Sequence, residues 1–463
     1  MKIRSVLAAA VMLTVAPFAP AQTAAPITAY VNAKLMPVAR GGAPAPAIER
    51  GTLVVQGSTI LAVGDASTAI PAGATRVDLA GKVVIPGLVD THNHIGGIGG
   101  ADQSGPIQPD VSVRDSVNVL DSGFKRALSG GLTTLNIMPG SGHLLSGQTI
   151  YVKLRGGRTI DDLLIRDANG KQMGGLKMAN GTNSLSGQGG FPGTRGKSAA
   201  LVRERFVAAQ EHARKVKAAG DDATKLPPRD LGLEVLGEVL SGKRIVHHHT
   251  HRADDVITVL RLQKEFGFRV VLHHVSEAWK VADELAKSDG GWGKTFATDQ
   301  NPNGGVPCSI ILVDSPGGKL EAQDLIYETG GVLEKAGVPT CFHTDDWITD
   351  VRLFLRMAAL GVRGGMSRDA ALAALTIQPA KMLDLGDRVG SLEEGKDADF
   401  VVLSGDPFSV YTKVEQTFVE GRKVFDLADP KDRLFATGGF GAGRDQNPYF
   451  CCYGQFGQGG GAQ

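Results

Sequence analysis

The chain has 463 residues, of which 42% are hydrophobic and 21% charged, with a formal net charge of +1 near neutral pH. That length supports a large buried core, as one big domain with a smaller one appended or as three separate domains. The balanced charge gives no sign of the basic face that a nucleic-acid partner would need, and the 62 glycines imply many turns and loops.

Residues 1–21 read as a secretory signal. Lys2 and Arg4 form a positive start, Val6 to Pro17 is mostly apolar, and Ala19-Pro20-Ala21 offers small residues for cleavage before Gln22. The apolar run is too short to cross a hydrocarbon layer of about 30 Å. The expectation is a periplasmic or secreted protein, free of the membrane after cleavage. Of the four cysteines, Cys308 and Cys341 lie in apolar runs and read as buried thiols, while adjacent Cys451 and Cys452 rarely bridge each other. No Cys-x-x-Cys occurs, which argues against a structural zinc ribbon.

From residue 27 to 85 the chain reads as short strands, Ile27–Val31, Gly51–Gln56, Ser58–Val63, Thr75–Asp78 and Lys82–Ile85, separated by turn residues. Matching pieces recur near the end at Asp399–Leu403, Gln416–Val419 and Arg422–Phe425. Together they predict one small sheet domain assembled from both chain ends. Between them strands alternate with helical patterns, which favours parallel strand-helix-strand units. The predicted strands are Leu132–Met138, Thr149–Leu154, Gly175–Ala179, Arg244–His251, Arg269–Val275, Val306–Val313 and Val338–His343. A charged helix is expected from Ser198 to about Ala219, after a polar stretch at 180–197 that suits a lid or substrate wall. Val256, Ile257, Val259, Leu260 and Leu262 share a helical face ending near Gly267, and Ser367 is an N-cap before Arg368–Leu375. The Gly-rich stretch 436–463 reads as a tail.

The chemistry gathers at predicted strand ends. Val83-Val-Ile-Pro-Gly-Leu-Val-Asp-Thr-His-Asn-His94 runs from an apolar strand into His92 and His94, which share one side of an extended strand and suit a divalent metal. In the 244–251 run, His247, His249 and His251 share a side and His248 faces away. His273 and His274 are adjacent, so strand alternation lets only one point inward. Asp345 and Asp346 follow the last strand, Asp346 fitting a turn role better, with His343 a further polar candidate. Lys177 interrupts an apolar strand, where an unpaired ammonium is costly, and Lys153 is its rival. His143 sits in a Gly-rich loop that lets an imidazole approach a substrate carbonyl or carboxylate. There is no serine-hydrolase elbow, phosphate loop or dinucleotide fingerprint.

Pro86-Gly-Leu-Val-Asp-Thr-His-Asn-His94 resembles the first-strand motif of the amidohydrolase superfamily, and Gly390-Ser-Leu-Glu-Glu-Gly-Lys-Asp-Ala-Asp-Phe400 resembles its late motif. The likeness runs from about Ile27 to Phe425 and is nearest the imidazolonepropionase-like and prolidase-like branch. It implies a (β/α)8 TIM-like barrel over 86–386 and a small β-sandwich domain built from 27–85 and 387–426. It implies metal ligation by His92, His94, His249, His274 and Asp345, with one or two zinc ions and a carbamylated Lys177. Asn180-Gly-Thr-Asn183 departs from the acidic residue that often follows the lysine strand, which leaves the metal count open. Asp345 is then expected as the proton carrier, with His143 and His251 as substrate contacts and His247 as a structural residue. The implied activity is hydrolysis of an amide bond, in a cyclic amide or small peptide, by metal-activated water. The partner is a small-molecule substrate, and a homo-oligomer is admitted. The alternatives are a deaminase on the same scaffold and a secreted metal- or ligand-binding protein without activity.

Overall fold

The computed structural model describes residues 25–41, 43–102, 104–185, 190–312, 319–346 and 348–438. The expected signal at 1–21, the pair Cys451 and Cys452, the end of the 306–313 strand and the tail beyond Gly438 lie outside the described residues. The tail begins later than expected, because Pro430–Thr437 is a helix capped by Asp429.

Both chain ends build one mixed eight-stranded sheet. Its order is Arg422–Asp426, Val414–Val419, Phe400–Leu403, Val83–Pro86, Ile27–Leu35, Ile48–Gln56 and Thr59–Asp65, with Thr75–Asp78 also paired to Ile27–Leu35. The ladder of the described residues gives this single sheet and a separate short ribbon, Val38–Arg40 with Ala43–Ala45, where two facing sheets were expected. Aromatic packing ties the ends together. Phe400 stands opposite Phe418, their rings stacked at 4.2 Å, and the Tyr30 ring meets both edge-on.

The middle of the chain is TIM-barrel-like. Leu176–Ala179, Val246–Thr250, Val270–His274, Cys308–Ile310 and Thr340–Phe342 lie parallel in that order, and Leu88–Asn93 lies parallel to Leu132–Ile137. These two arcs are not one continuous ladder. They meet through single backbone bonds, Asp345 N–H to His92 O at 3.0 Å and Thr149 N–H to Gly175 O at 2.9 Å. The strands are buried on both faces, yet they mix apolar with polar side chains, as in Leu88–Asn93, which runs from Leu88 and Val89 into Asp90, Thr91, His92 and Asn93. Cys308 and Cys341 are buried free thiols, and burial pushes the Cys341 thiol up to about 12.

Parallel pairing fails at two neighbouring ladders. Ile150–Lys153 runs antiparallel to Leu132–Ile137, and Leu145–Gln148 runs antiparallel to Leu176–Ala179. A parallel partner needs a crossover, usually a helix, and residues 138–149 hold none. The reversal has a large consequence for Lys153. Ile150 pairs with Ile137 and Lys153 with Thr134, so Lys153 sits at the end of the barrel away from His92 and His94. There its ammonium lies 2.5 Å from Asp397 and 3.0 Å from Asp399, both just before the Phe400–Leu403 strand of the chain-end sheet. Lys153 is an internal cation joining two parts of the fold, and is no rival to Lys177.

The long helix spans Arg195–Ala219, three residues earlier than its composition implied, because the Thr194 hydroxyl accepts the Lys197 N–H and sets the start. Its Phe206 packs on Phe266 and Phe268, with ring centroids 5.0 and 5.4 Å away. Removing that cap as Thr194→Ala is expected to cost about 1 kcal/mol of stability, read as a lower urea midpoint at unchanged slope. Ala253–Phe266 ends at Gly267, which takes the left-handed conformation at φ 73°. Ser367 caps Arg368–Ala373 as expected.

Candidate metal centre

His92 and His94 stand at the end of the Leu88–Asn93 strand, both buried. Their Nε2 atoms are 3.2 Å apart. His94 Nδ1 lies 2.8 Å from the Met138 carbonyl, which fixes that nitrogen as the donor and leaves Nε2 as a lone pair. Asp345 Oδ1 lies 3.0 Å from His94 Nε2 and 3.3 Å from His92 Nε2. Asp345 is held there in the left-handed region, at φ 48°, by its own N–H bonding to His92 O. Aspartate tolerates that conformation better than most residues.

Beneath this trio Asp90 acts as a clamp. It accepts from Thr344 Oγ1 at 2.6 Å and from Asn93 Nδ2 at 2.9 Å, tying the first strand to the segment that carries Asp345. Burial pushes its carboxyl up to about 6, against the pull of those hydrogen bonds. The Pro86–His94 motif contains Asp90, but its clamp role follows from the fold. Its signal was an acid inside an apolar strand.

The other imidazoles enter from three strands. His249 is buried, and neither ring nitrogen is hydrogen-bonded among the described residues. His251 Nδ1 meets Ser276 Oγ at 2.8 Å, while its Nε2 has no hydrogen-bond partner among the described residues. His274 Nδ1 is 3.2 Å from His343 Nε2 and 3.9 Å from Asp345 Oδ2. His343 in turn rests on Ser309, and Ser309 on Thr91, at 2.8 and 2.7 Å. His343 was only a minor expectation, yet it stacks on His92 with centroids 4.9 Å apart. Lys177 Nζ is 2.9 Å from His92 Nε2 and 3.1 Å from Met138 Sδ, with the residue wholly buried.

The expectation that only one of His273 and His274 could point inward is wrong. His274 has φ 69° and Val275 φ 38°, so the strand breaks its alternation there. His274 joins the cluster while His273 also faces inward, deeper, with its ring 5.0 Å from that of His92. His273 Nε2 bonds His247 Nδ1 at 3.0 Å, and His247 Nε2 bonds the Tyr151 hydroxyl at 3.0 Å. His248 faces outward among Leu144, Val202 and Leu262. His143 is half-buried in its loop and belongs to none of the donor groups.

Among the described residues, three groups of donors have ligand atoms within 4.8 Å of one another: His92, His94 and Asp345; His92, His274 and His343; and His249, His251 and His274. Burial lowers the imidazoles of His92, His249 and His274 well below the usual histidine range and those of His251 and His343 to about 3. The neutral imidazole is the favoured form, and among the described residues His92 Nδ1, both nitrogens of His249, and Nε2 of His251 and of His274 have no hydrogen-bond partner. Burial would raise the Asp345 carboxyl, but the close neighbours His94, His343 and Lys177 outweigh it and hold it below the carboxylate range. Neutral nitrogens around one carboxylate, several of them without a hydrogen-bond partner, form a donor set that fits a borderline divalent ion.

A model described as the amidohydrolase family matches residues 178–425. The solved structure of an amidohydrolase from Thermotoga maritima MSB8 is 32% identical, with a TM-score of 0.74, and its whole length is matched by 86% of this chain. The amidohydrolase tasK of Hapsidospora irregularis is 28% identical over 386 residues, or 77% of this chain, and this chain spans 38% of that protein's length. The imidazolonepropionase of Erwinia tasmaniensis is 24% identical over 379 residues, covering 76% of this chain and 86% of that protein.

Proposed function

Because the chain belongs to the amidohydrolase family, we propose that it hydrolyses a carbon–nitrogen amide bond, in a cyclic amide or a small peptide, at a centre that holds zinc. The observation that carries this reading is the convergence of His92 Nε2, His94 Nε2 and Asp345 Oδ1 at one buried strand end. His92, His94 and Asp345 would hold the ion, with His249, His274 and Lys177 lining the same histidine cluster. Lys177 is the candidate for carbamylation. The ion supplies Lewis acidity, making water a nucleophile near neutral pH and polarising the carbonyl.

Asp345 is ionised at neutral pH and sits against both His92 and His94. It takes the proton of the attacking water and returns it to the leaving nitrogen, which departs as an amine. His94 is kept in one tautomer by Met138 O, and His343 is kept in place by Ser309. His251 lies beside His249 with Nδ1 against the Ser276 hydroxyl, and in the tautomer that protonates Nε2 it donates to a substrate carbonyl. His143 stays a loop contact for the substrate's far end in this reading.

The test is product analysis. Zinc-loaded protein is offered a panel of dipeptides, lactams and linear amides. A new amine and carboxylate in equal amounts supports the reading. Ammonia released from an amidine-like carbon would replace it by deamination. No turnover of any compound would favour a binding protein without activity.

A further inference from the structure

A cleft of about 560 Å³ lies outside the barrel mouth and shares no residue with the three donor groups. Its walls are the start of the Phe354–Arg363 helix, the loop 407–413 between the Phe400–Leu403 and Val414–Val419 strands, and the Pro430–Thr437 helix. It therefore sits on the seam between the barrel and the sheet of the chain ends. Four cations line it, Arg352, Arg356, Lys413 and Arg433, and among the described residues no acid does. Arg352 is held from one side by the Asp350 carboxylate, which accepts Nε at 2.9 Å and Nη2 at 2.6 Å. The charged groups of Lys413 and Arg433 have no ion pair or hydrogen bond among the described residues. The cleft is also apolar. Leu353 and Val410 stand at it 45% and 83% exposed, beside Phe408. The loop wall is preformed. Arg368 covers the Phe408 ring at 4.2 Å and pairs with Asp406, and Thr412 Oγ1 donates to Asp406 O at 2.6 Å.

We propose that this cleft binds a small amphiphilic anion, its carboxylate or phosphate head among Arg352, Arg356, Lys413 and Arg433 and its hydrocarbon body against Leu353, Phe408 and Val410. Like charges gathered in one concave place repel one another and focus a positive field, and a bound anion relieves both. Three of the four cations are arginines, whose planar forks match the oxygens of a carboxylate or phosphate. Placing a hydrocarbon chain on Leu353 and Val410 removes their apolar surface from water. The volume suits one small molecule, within the roughly 300–1,000 Å³ of such pockets. The occupant touches both the barrel and the sheet of the chain ends, so its binding raises the unfolding temperature of the whole chain. The site stands independently of the metal centre and of the reaction there.

The experiment is titration calorimetry of zinc-loaded full-length protein with decanoate and decyl phosphate, and with decanol and acetate as the uncharged and the short control. A crystal structure with the tighter of the two anions accompanies it. The expected result is one anion per chain, seated in this cleft, with a raised Tm and an affinity that falls as salt is added. Decanol and acetate are expected to bind at least about tenfold more weakly. The double variant Lys413→Glu/Arg433→Glu is expected to lose at least about tenfold in affinity for the anion. Both positions are exposed, so its Tm without ligand stays that of the wild type. Equal binding of decanol, unchanged affinity in the double variant, or no binding of either anion overturns the proposal. So does a structure with the anion in the barrel mouth only, or with residues 439–463 or a second copy of the chain in the cleft. Sedimentation with phosphatidylglycerol vesicles without binding of the free anions overturns it in favour of a membrane surface.

Discussion

Asp345→Asn is expected to lower kcat by about 10²- to 10⁴-fold while the zinc content stays near that of the wild type. The substitution keeps an oxygen that can face His92 and His94, so the donor geometry survives. What it removes is the carboxylate that can take a proton. Asp345 is suited to that task because its surroundings hold it ionised, and because its N–H bond to His92 O fixes its position relative to the first strand. Steady-state kinetics and metal analysis on the same preparation separate the two outcomes. A loss below tenfold would move the proton carrier elsewhere, with His343 the next group to test. A parallel loss of zinc would make Asp345 chiefly a ligand.

The second large effect concerns stability. Lys153→Met is expected to destabilise the fold by about 3–5 kcal/mol, the range for removing one partner of a buried ion cluster. Lys153 is 1% exposed and lies within 3.0 Å of carboxylate oxygens from both Asp397 and Asp399. Arg388 also reaches Asp397 at 3.0 Å, so that carboxylate keeps one cation, whereas Asp399 is 1% exposed and loses its own. The double variant Lys153→Met/Asp399→Leu is therefore expected to recover much of the loss. Urea unfolding of the three proteins measures this. A loss under 1 kcal/mol in the single variant would mean that Lys153 does not hold the barrel to the sheet of the chain ends.

The legible parts of this chain are those where a simple period holds. His92 and His94 obey strand alternation, and so do His247, His249 and His251, so their shared sides follow from spacing alone. The sheet made from both chain ends is legible because its strands carry turn residues between them. Three features escape such reading. His274 and Asp345 adopt left-handed conformations, which no spacing rule anticipates. At His274 this lets both adjacent imidazoles face the interior, where alternation allows only one. The reversed strand at Ile150–Lys153 depends on the lack of a helix over 138–149, and it sends Lys153 to the opposite end of the barrel from Lys177. Asp90 acts through Thr344, more than 250 positions away in the chain, and only folding brings them together. In each case tertiary contacts decide what local pattern leaves undetermined.

The metal content of the purified protein tests the central claim most directly, measured by mass spectrometry for the wild type and for a His92→Ala/His94→Ala double variant. The account predicts at least one divalent ion per chain in the wild type, one fewer in the variant, and loss of amide hydrolysis with it. Equal metal content in both proteins, or full hydrolysis by the wild type after the metal has been removed by chelation, would contradict it.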